Sequence, residues 1–263
     1  MKKLIYLFVI FMVVVSCKKD NTTTPTSTAL NPVQKQWGFV LEYTAQWCGP
    51  CGQWGAPTMT TLCAVSPNVV GVACHAASGD AMNNSALYSS FYSDRTDGGG
   101  IPHFWVGDQN NNYATSAMTT LLAQTCTAAV DLNYTRSGNT ITVNTQSKFF
   151  ANGTGNYYLS VLVLESGING SASAPTGYPQ NGTTDANYTH KHVLRASAIT
   201  GKAYGESIVN GTVKVGQTIN KSYTITLDPT WTKTINVCAI LWNYDATVVA
   251  PAPKYKYVNC VEK

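Results

Sequence analysis

Charge is scarce in this sequence. Only 17 basic and 13 acidic side chains occur in 263 residues, and no run of basic residues is longer than a pair. That excludes the basic patch a nucleic acid or an anionic membrane surface would require. Long apolar runs are lacking too. The longest at the N-terminus, Leu4 to Val15, covers 12 residues, whereas a permanent membrane-spanning helix needs about 20. A second close cysteine pair is also missing. Cys48 and Cys51 form the one Cys-x-x-Cys, and Cys63 and Cys74 are separated by ten residues, which argues against a four-cysteine metal site.

The ends of that short apolar run carry information. Lys2 and Lys3 precede it and Ser16-Cys17 closes it, the layout of a secretory signal. Val14-Val15-Ser16-Cys17 resembles the lipobox of bacterial lipoproteins. The resemblance implies that Cys17 is acylated, becomes the new N-terminus and anchors the chain to a lipid bilayer. Residues 1–17 are then signal peptide. Residues 18–32 are rich in Thr, Ser and Asn and lack apolar periodicity, so they read as a flexible tether. The rest of the chain is long enough for two domains, and the change of pattern near residue 130 divides it into 33–129 and 130–263.

In the first of these, Gly38 to Thr44 is an apolar and β-branched run that predicts a buried strand. It leads into Ala45-Gln46-Trp47-Cys48-Gly49-Pro50-Cys51, and Met59, Leu62 and Val65 then recur at helical spacing. The order strand, turn, helix suits thiol chemistry. Unpaired N–H groups and the macrodipole at a helix N-terminus favour an anion, which makes Cys48 the nucleophile. Cys51, one turn further on, is placed to resolve a mixed disulfide. Trp47-Cys48-Gly49-Pro50-Cys51 resembles, residue for residue, the active site of thioredoxins. That likeness implies an α/β thioredoxin-like fold over 33–129, with Glu42 standing where the family has its buried proton-transferring aspartate. It also implies a cis-proline at Ile101-Pro102, with Trp47, Gly49, Pro50, Ile101 and Pro102 facing the substrate. A helix is expected from Thr115 to Ala129, capped by Thr115 or Ser116.

Beyond residue 130 the helical period gives way to short alternating runs such as Ile141 to Asn144, Tyr157 to Leu164, Tyr223 to Leu227 and Ile235 to Leu241. These predict an all-β immunoglobulin-like sandwich. Cys238 and Cys260 are equidistant from Val249, so a hairpin turning there would form a structural disulfide. His190 and His192 would share a face of a strand, but no third ligand is identifiable and no metal is expected.

Signal, dithiol half and β-rich half together resemble an outer-membrane lipoprotein family that joins these two domains. The expectation is an exported thiol-disulfide oxidoreductase, on the periplasmic side or at the cell surface, acting on protein thiols or disulfides of the envelope. It would need no cofactor besides the Cys48-Cys51 pair. The Gly49-Pro50 pair resembles reducing thioredoxins, while reductase, isomerase and oxidase all stay open. The alternative is a surface lipoprotein that binds a protein or glycan through its sandwich, with a non-catalytic Cys48-Cys51 bridge.

Overall fold

The computed structural model describes residues 29–76, 79–170, 179–185 and 187–263. The expected acylation at Cys17 lies outside them. The chain begins with strand β1 (Gly38–Thr44), every residue of which is buried. A wide helical turn, Cys51–Gly55, runs straight into α1 (Ala56–Ala64), with Pro57 in its first turn where no N–H is missed. Strand β2 (Val69–His75) and helix α2 (Ser85–Tyr92) come next. The side chain of Asn84 caps α2 by accepting the Leu87 N–H at 3.1 Å, and Leu87 and Phe91, four residues apart, form its buried face. Then come β3 (His103–Val106), the short β4 (Gln109–Asn110) and α3 (Thr115–Leu122).

Strand dominates thereafter: β5 (Ala128–Ser137), β6 (Thr140–Phe149), β7 (Gly153–Ser166), β8 (Ile168–Asn169), β9 (Thr189–His190), β10 (Val193–Ser197), β11 (Glu206–Val213), β12 (Thr218–Thr226), β13 (Thr234–Tyr244) and β14 (Tyr255–Glu262). The main sheet runs β14-β13-β7-β10-β2-β1-β3-β4, with β11 also paired to β7. It is mixed: β2 is parallel to β1 and to β10, and the remaining pairs are antiparallel. A smaller sheet, β12-β6-β5, lies against it.

Burial explains this layering. Leu159 to Glu165 in β7 and Val237 to Trp242 in β13 are buried without a break, as strands covered on both faces must be. Alternate residues serve two cores. Leu162, Leu164, Ile240 and Trp242 join Phe39, Leu41 and Val72 of the first half and Leu87 and Phe91 of α2. Val161, Val163, Val237 and Leu241 meet Ile141, Val143 and Ile225 of the smaller sheet. A third core fills the space between α1, α3 and the far face of β1 and β3, around Val40, Leu62, Phe104 and Met118.

Two polar nodes lock the halves together. Arg95, fully buried, donates to Asp108 Oδ1 at 2.6 Å and to the Tyr255 carbonyl at 2.7 Å, and its guanidinium lies 4.7 Å from the Trp242 ring centroid. Asn259, also fully buried, donates to the carbonyls of Lys35 (3.0 Å) and Ala128 (2.9 Å) and accepts the Trp37 N–H at 3.0 Å.

Four expectations change. The self-contained sandwich over 130–263 gives way to a sheet shared with the first half, because β10 docks on β2 through Val193 and Ala73. The third helix stops at Leu122 with Ala114 at its N-cap and no side-chain cap, and Ala128 onward pairs with β6. Cys238 and Cys260 are free thiols. The β13-β14 hairpin places Glu262 opposite Cys238 and Ile240 opposite Cys260. Register, once displaced from the symmetric turn, puts the two sulfurs on diagonal rather than facing positions. Finally, β9 ends at His190, and His192 adopts a left-handed backbone (φ 58°) outside any strand, so the two imidazoles do not share a strand face.

Candidate functional site

Cys48 and Cys51 form a disulfide with Cα atoms 5.2 Å apart, at the point where β1 hands the chain to the helical turn. Cys48 is 5% exposed and Cys51 is fully buried, so the outer sulfur is the one solvent can approach. The Cys51 backbone N–H donates to Cys48 Sγ at 3.1 Å, and Cys48 Sγ lies 3.6 Å from the Ile101 carbonyl oxygen. The Ile101-Pro102 peptide is cis. Ile101 packs on the apolar cluster of Ala45, Cys48 and Cys51, and Trp47 stands half exposed beside it. Trp47, Gly49, Pro50, Ile101 and Pro102 are thus gathered around the bridge.

Glu42 sits behind this turn in mid-β1. A Cβ placed on Gly55 would come within 2.7 Å of Glu42 Oε1 and 2.8 Å of Pro102 Cβ, so carboxyl, helix start and proline are in close contact. Burial pushes the Glu42 carboxyl up to about 8, against the lowering effect of a hydrogen bond with Thr44. At pH 7 it is therefore protonated. It faces a cavity of about 520 Å³, walled also by Met59, Cys63, Tyr188, His190 and His192. Burial, and then the Lys191 charge, hold the His192 imidazole below its usual range. Among the described residues, Glu42 Oε1 and His192 Nδ1 have no hydrogen-bond partner. Burial lifts the Cys63 thiol to about 12, so it is no nucleophile at neutral pH. Among the described residues no three His, Cys, Asp or Glu side chains converge as a metal site.

Several contributors to this region carry no motif. Asp80 Oδ2 accepts the Gln46 N–H at 2.8 Å and meets His75 Nδ1 at 2.7 Å. Burial raises the Asp80 carboxyl, yet His75 and the N–H groups of Gln46 and Met82 outweigh it and leave it low. From the other half of the chain, Gln180 and Asn181 reach the turn. Gln180 Nε2 donates to the carbonyls of Ala45 (2.9 Å) and Cys48 (3.1 Å). The Asn181 N–H donates to the Gln46 carbonyl (2.7 Å) and its Nδ2 to the Trp47 carbonyl (3.0 Å). The only hint in the sequence is the polar, turn-rich composition of Gln180-Asn181-Gly182.

Together these features define a β-rich protein with a mixed sheet and a Cys-x-x-Cys bridge at the head of a helix. The family model of outer membrane protein Omp28 matches residues 105–251, more than half of the chain, and the chain belongs to that family. Membership supports an outer-membrane or envelope location, and the matched segment begins after the disulfide. Among solved structures, HBP35 of Porphyromonas gingivalis is similar with a TM-score of 0.69 at 18% identity, over 89% of this chain and 76% of that one. A protein from Agrobacterium tumefaciens is similar with a TM-score of 0.50 at 14% identity, over 88% and 95% of the two chains. At these identities the likeness concerns the fold. A search of curated proteins finds no match.

Proposed function

We propose that this protein is a thiol-disulfide exchange protein of the cell envelope, held to a membrane by an acylated Cys17. Its first half is a thioredoxin-like unit whose sheet is extended by strands of the second. The single observation that carries the reading is the arrangement around Cys48 and Cys51: outer sulfur under an N–H donor, inner sulfur buried, Ile101 alongside and a protonated Glu42 behind.

The chemistry balances without a further cofactor. A substrate thiolate attacks Cys48 Sγ and breaks the Cys48-Cys51 bond. Cys51 leaves as a thiolate and takes a proton from the neutral Glu42 carboxyl. A second substrate thiolate then displaces Cys48, so the substrate is oxidised to a disulfide and the protein is left as a dithiol. Run backwards, Cys48 attacks a substrate disulfide, Glu42 accepts the Cys51 proton, and Cys51 closes the bridge. The N–H aimed at Cys48 Sγ favours its thiolate in either direction. Protein thiols and disulfides of exported chains are the substrates, with the Ile101 backbone offering an edge to an extended segment.

The test is the reduction potential of the purified protein in glutathione and dithiothreitol buffers, with Cys51→Ser used to trap mixed disulfides. A value near about −270 mV with trapped partners fits a reductant, and one near about −120 mV an oxidant. A bridge that exchanges with neither buffer and traps nothing would refute the proposal.

A second reading is favoured by the family match, which covers 105–251 and leaves out the dithiol. Here the protein is an outer-membrane binding protein whose partner, a protein or a glycan, docks on the β-rich half. Binding that survives replacement of both Cys48 and Cys51 by Ser would support this reading over the first.

A further inference from the structure

We infer that Gln180 to Thr183 form a positioning strap that sets the reactivity of Cys48, which makes the second half of the chain part of the redox site. The inference rests on the thiol-disulfide exchange reading.

The strap satisfies four consecutive carbonyls of the reactive turn, those of Ala45, Gln46, Trp47 and Cys48, with donors from just two residues. A peptide unit whose carbonyl is fastened on one side has its N–H fixed on the other. The four units fastened here are those that carry the N–H groups of Gln46 to Gly49, so the backbone on which Cys48 stands is held from outside the turn, while the Cys51 N–H, two peptides further on, meets Cys48 Sγ at 3.1 Å from within. Gln180 is itself buried, so its bonds to the Ala45 and Cys48 carbonyls are shielded from competing water.

Backbone fit supports the same view. A Cβ on Gly52 would collide with the Asn181 carbonyl and come within 2.8 Å of the Thr183 nitrogen, and a Cβ on Gly182 would collide with the Gly49 carbonyl. Gly182 also has φ of 83°, which L side chains rarely adopt. The strap and the turn thus meet backbone to backbone at positions where no side chain fits. Gly52 is notable because it lies in the helical turn, where alanine would be the better residue by about 1 kcal/mol.

A loosened turn aims its N–H less well at the Cys48 thiolate, so the thiol pKa rises and the dithiol form loses stability against the bridge. Removing the strap should therefore make the protein more reducing. The experiment uses the whole protein with Gln180→Ala, Gly182→Ala and Gly52→Ala. Two quantities are measured: the pH profile of Cys48 alkylation after reduction by dithiothreitol, and the equilibrium constant with glutathione. In all three variants we expect the alkylation profile to move to higher pH and the equilibrium constant to fall about threefold to tenfold, or about 14 to 30 mV.

Gly52→Ala is the discriminating variant, because it leaves every donor in place and improves the helix while wedging the strap away. Unchanged profiles and constants in variants with lowered unfolding midpoints would overturn the inference and leave the strap a structural tie. Should the wild-type bridge fail to exchange with glutathione at all, the exchange reading falls. The alkylation profile of the reduced protein still decides whether the strap acts on Cys48.

Discussion

Replacing Glu42 by Gln should stabilise the protein, and by an amount that depends on pH. The carboxyl sits near its ordinary value of 4.5 in the unfolded chain and at about 8 in the folded one, because burial penalises the charge. The favourable form is the protonated one. Its contribution is fully present below pH 4.5 and is lost as pH rises through 8. Each pH unit between the two values is worth about 1.4 kcal/mol, so the wild-type cost approaches about 5 kcal/mol above pH 8 and is about 3 kcal/mol at pH 7. Glutamine keeps the shape and stays neutral. Urea denaturation of oxidised wild-type and Glu42→Gln protein at pH 4, 7 and 9 should give nearly equal stabilities at pH 4 and a variant advantage that widens at each step. An advantage that is constant with pH, or a variant less stable than wild type at pH 9, would refute the burial argument.

Arg95→Met should cost about 3 to 5 kcal/mol by urea denaturation, because Asp94 and Asp108 would be left beside a core without their buried cation; a loss below about 1 kcal/mol would contradict this. Gly55→Ala should destabilise by about 1 to 3 kcal/mol although alanine suits a helix, since its Cβ has no room beside Glu42 and Pro102. Cys238 and Cys260 should resist iodoacetamide in the folded protein and react fully in guanidinium without reductant, as two buried free thiols must. Mass spectrometry of a non-reducing digest showing them joined would reverse the assignment.

What the sequence disclosed was local. The run Gly38 to Thr44, the pentapeptide Trp47 to Cys51 and the spacing of Met59 and Leu62 each encode their neighbourhood within a few residues, and β1, the turn and α1 stand where those patterns place them. Helix α2 was missed: Asn84 as cap and Leu87 and Phe91 four residues apart are its only signals, and the Tyr and Ser residues between them blur the apolar period. The shared sheet had a signature in the unbroken apolar runs of β7 and β13, which speak for strands covered on both sides rather than for a sandwich with a wet face. The strap had none. Gln180 meets Ala45 across 135 residues of chain, and nothing in a polar turn says which carbonyls it will find. The Cys238-Cys260 pairing failed because symmetry about a turn fixes a bridge only if the register is also symmetric, and the irregularity between Leu241 and Trp242 shows that it is not.

Asn259 has a bearing on how the molecule is made. Its amide ties Lys35 and Trp37, at the entry to the first strand, and Ala128, at the middle of the chain, to the last strand. A polypeptide delivered N-terminus first thus exposes Cys48 and Cys51 long before the piece that completes their sheet has arrived. Contacts so distant in sequence make for slow closure, and a chain cut short before residue 259 keeps both cysteines yet lacks the amide that joins Lys35, Trp37 and Ala128. The sheet whose β1 leads into the cysteines is thus closed at its far edge by the last strand to be made, which pairs with β13.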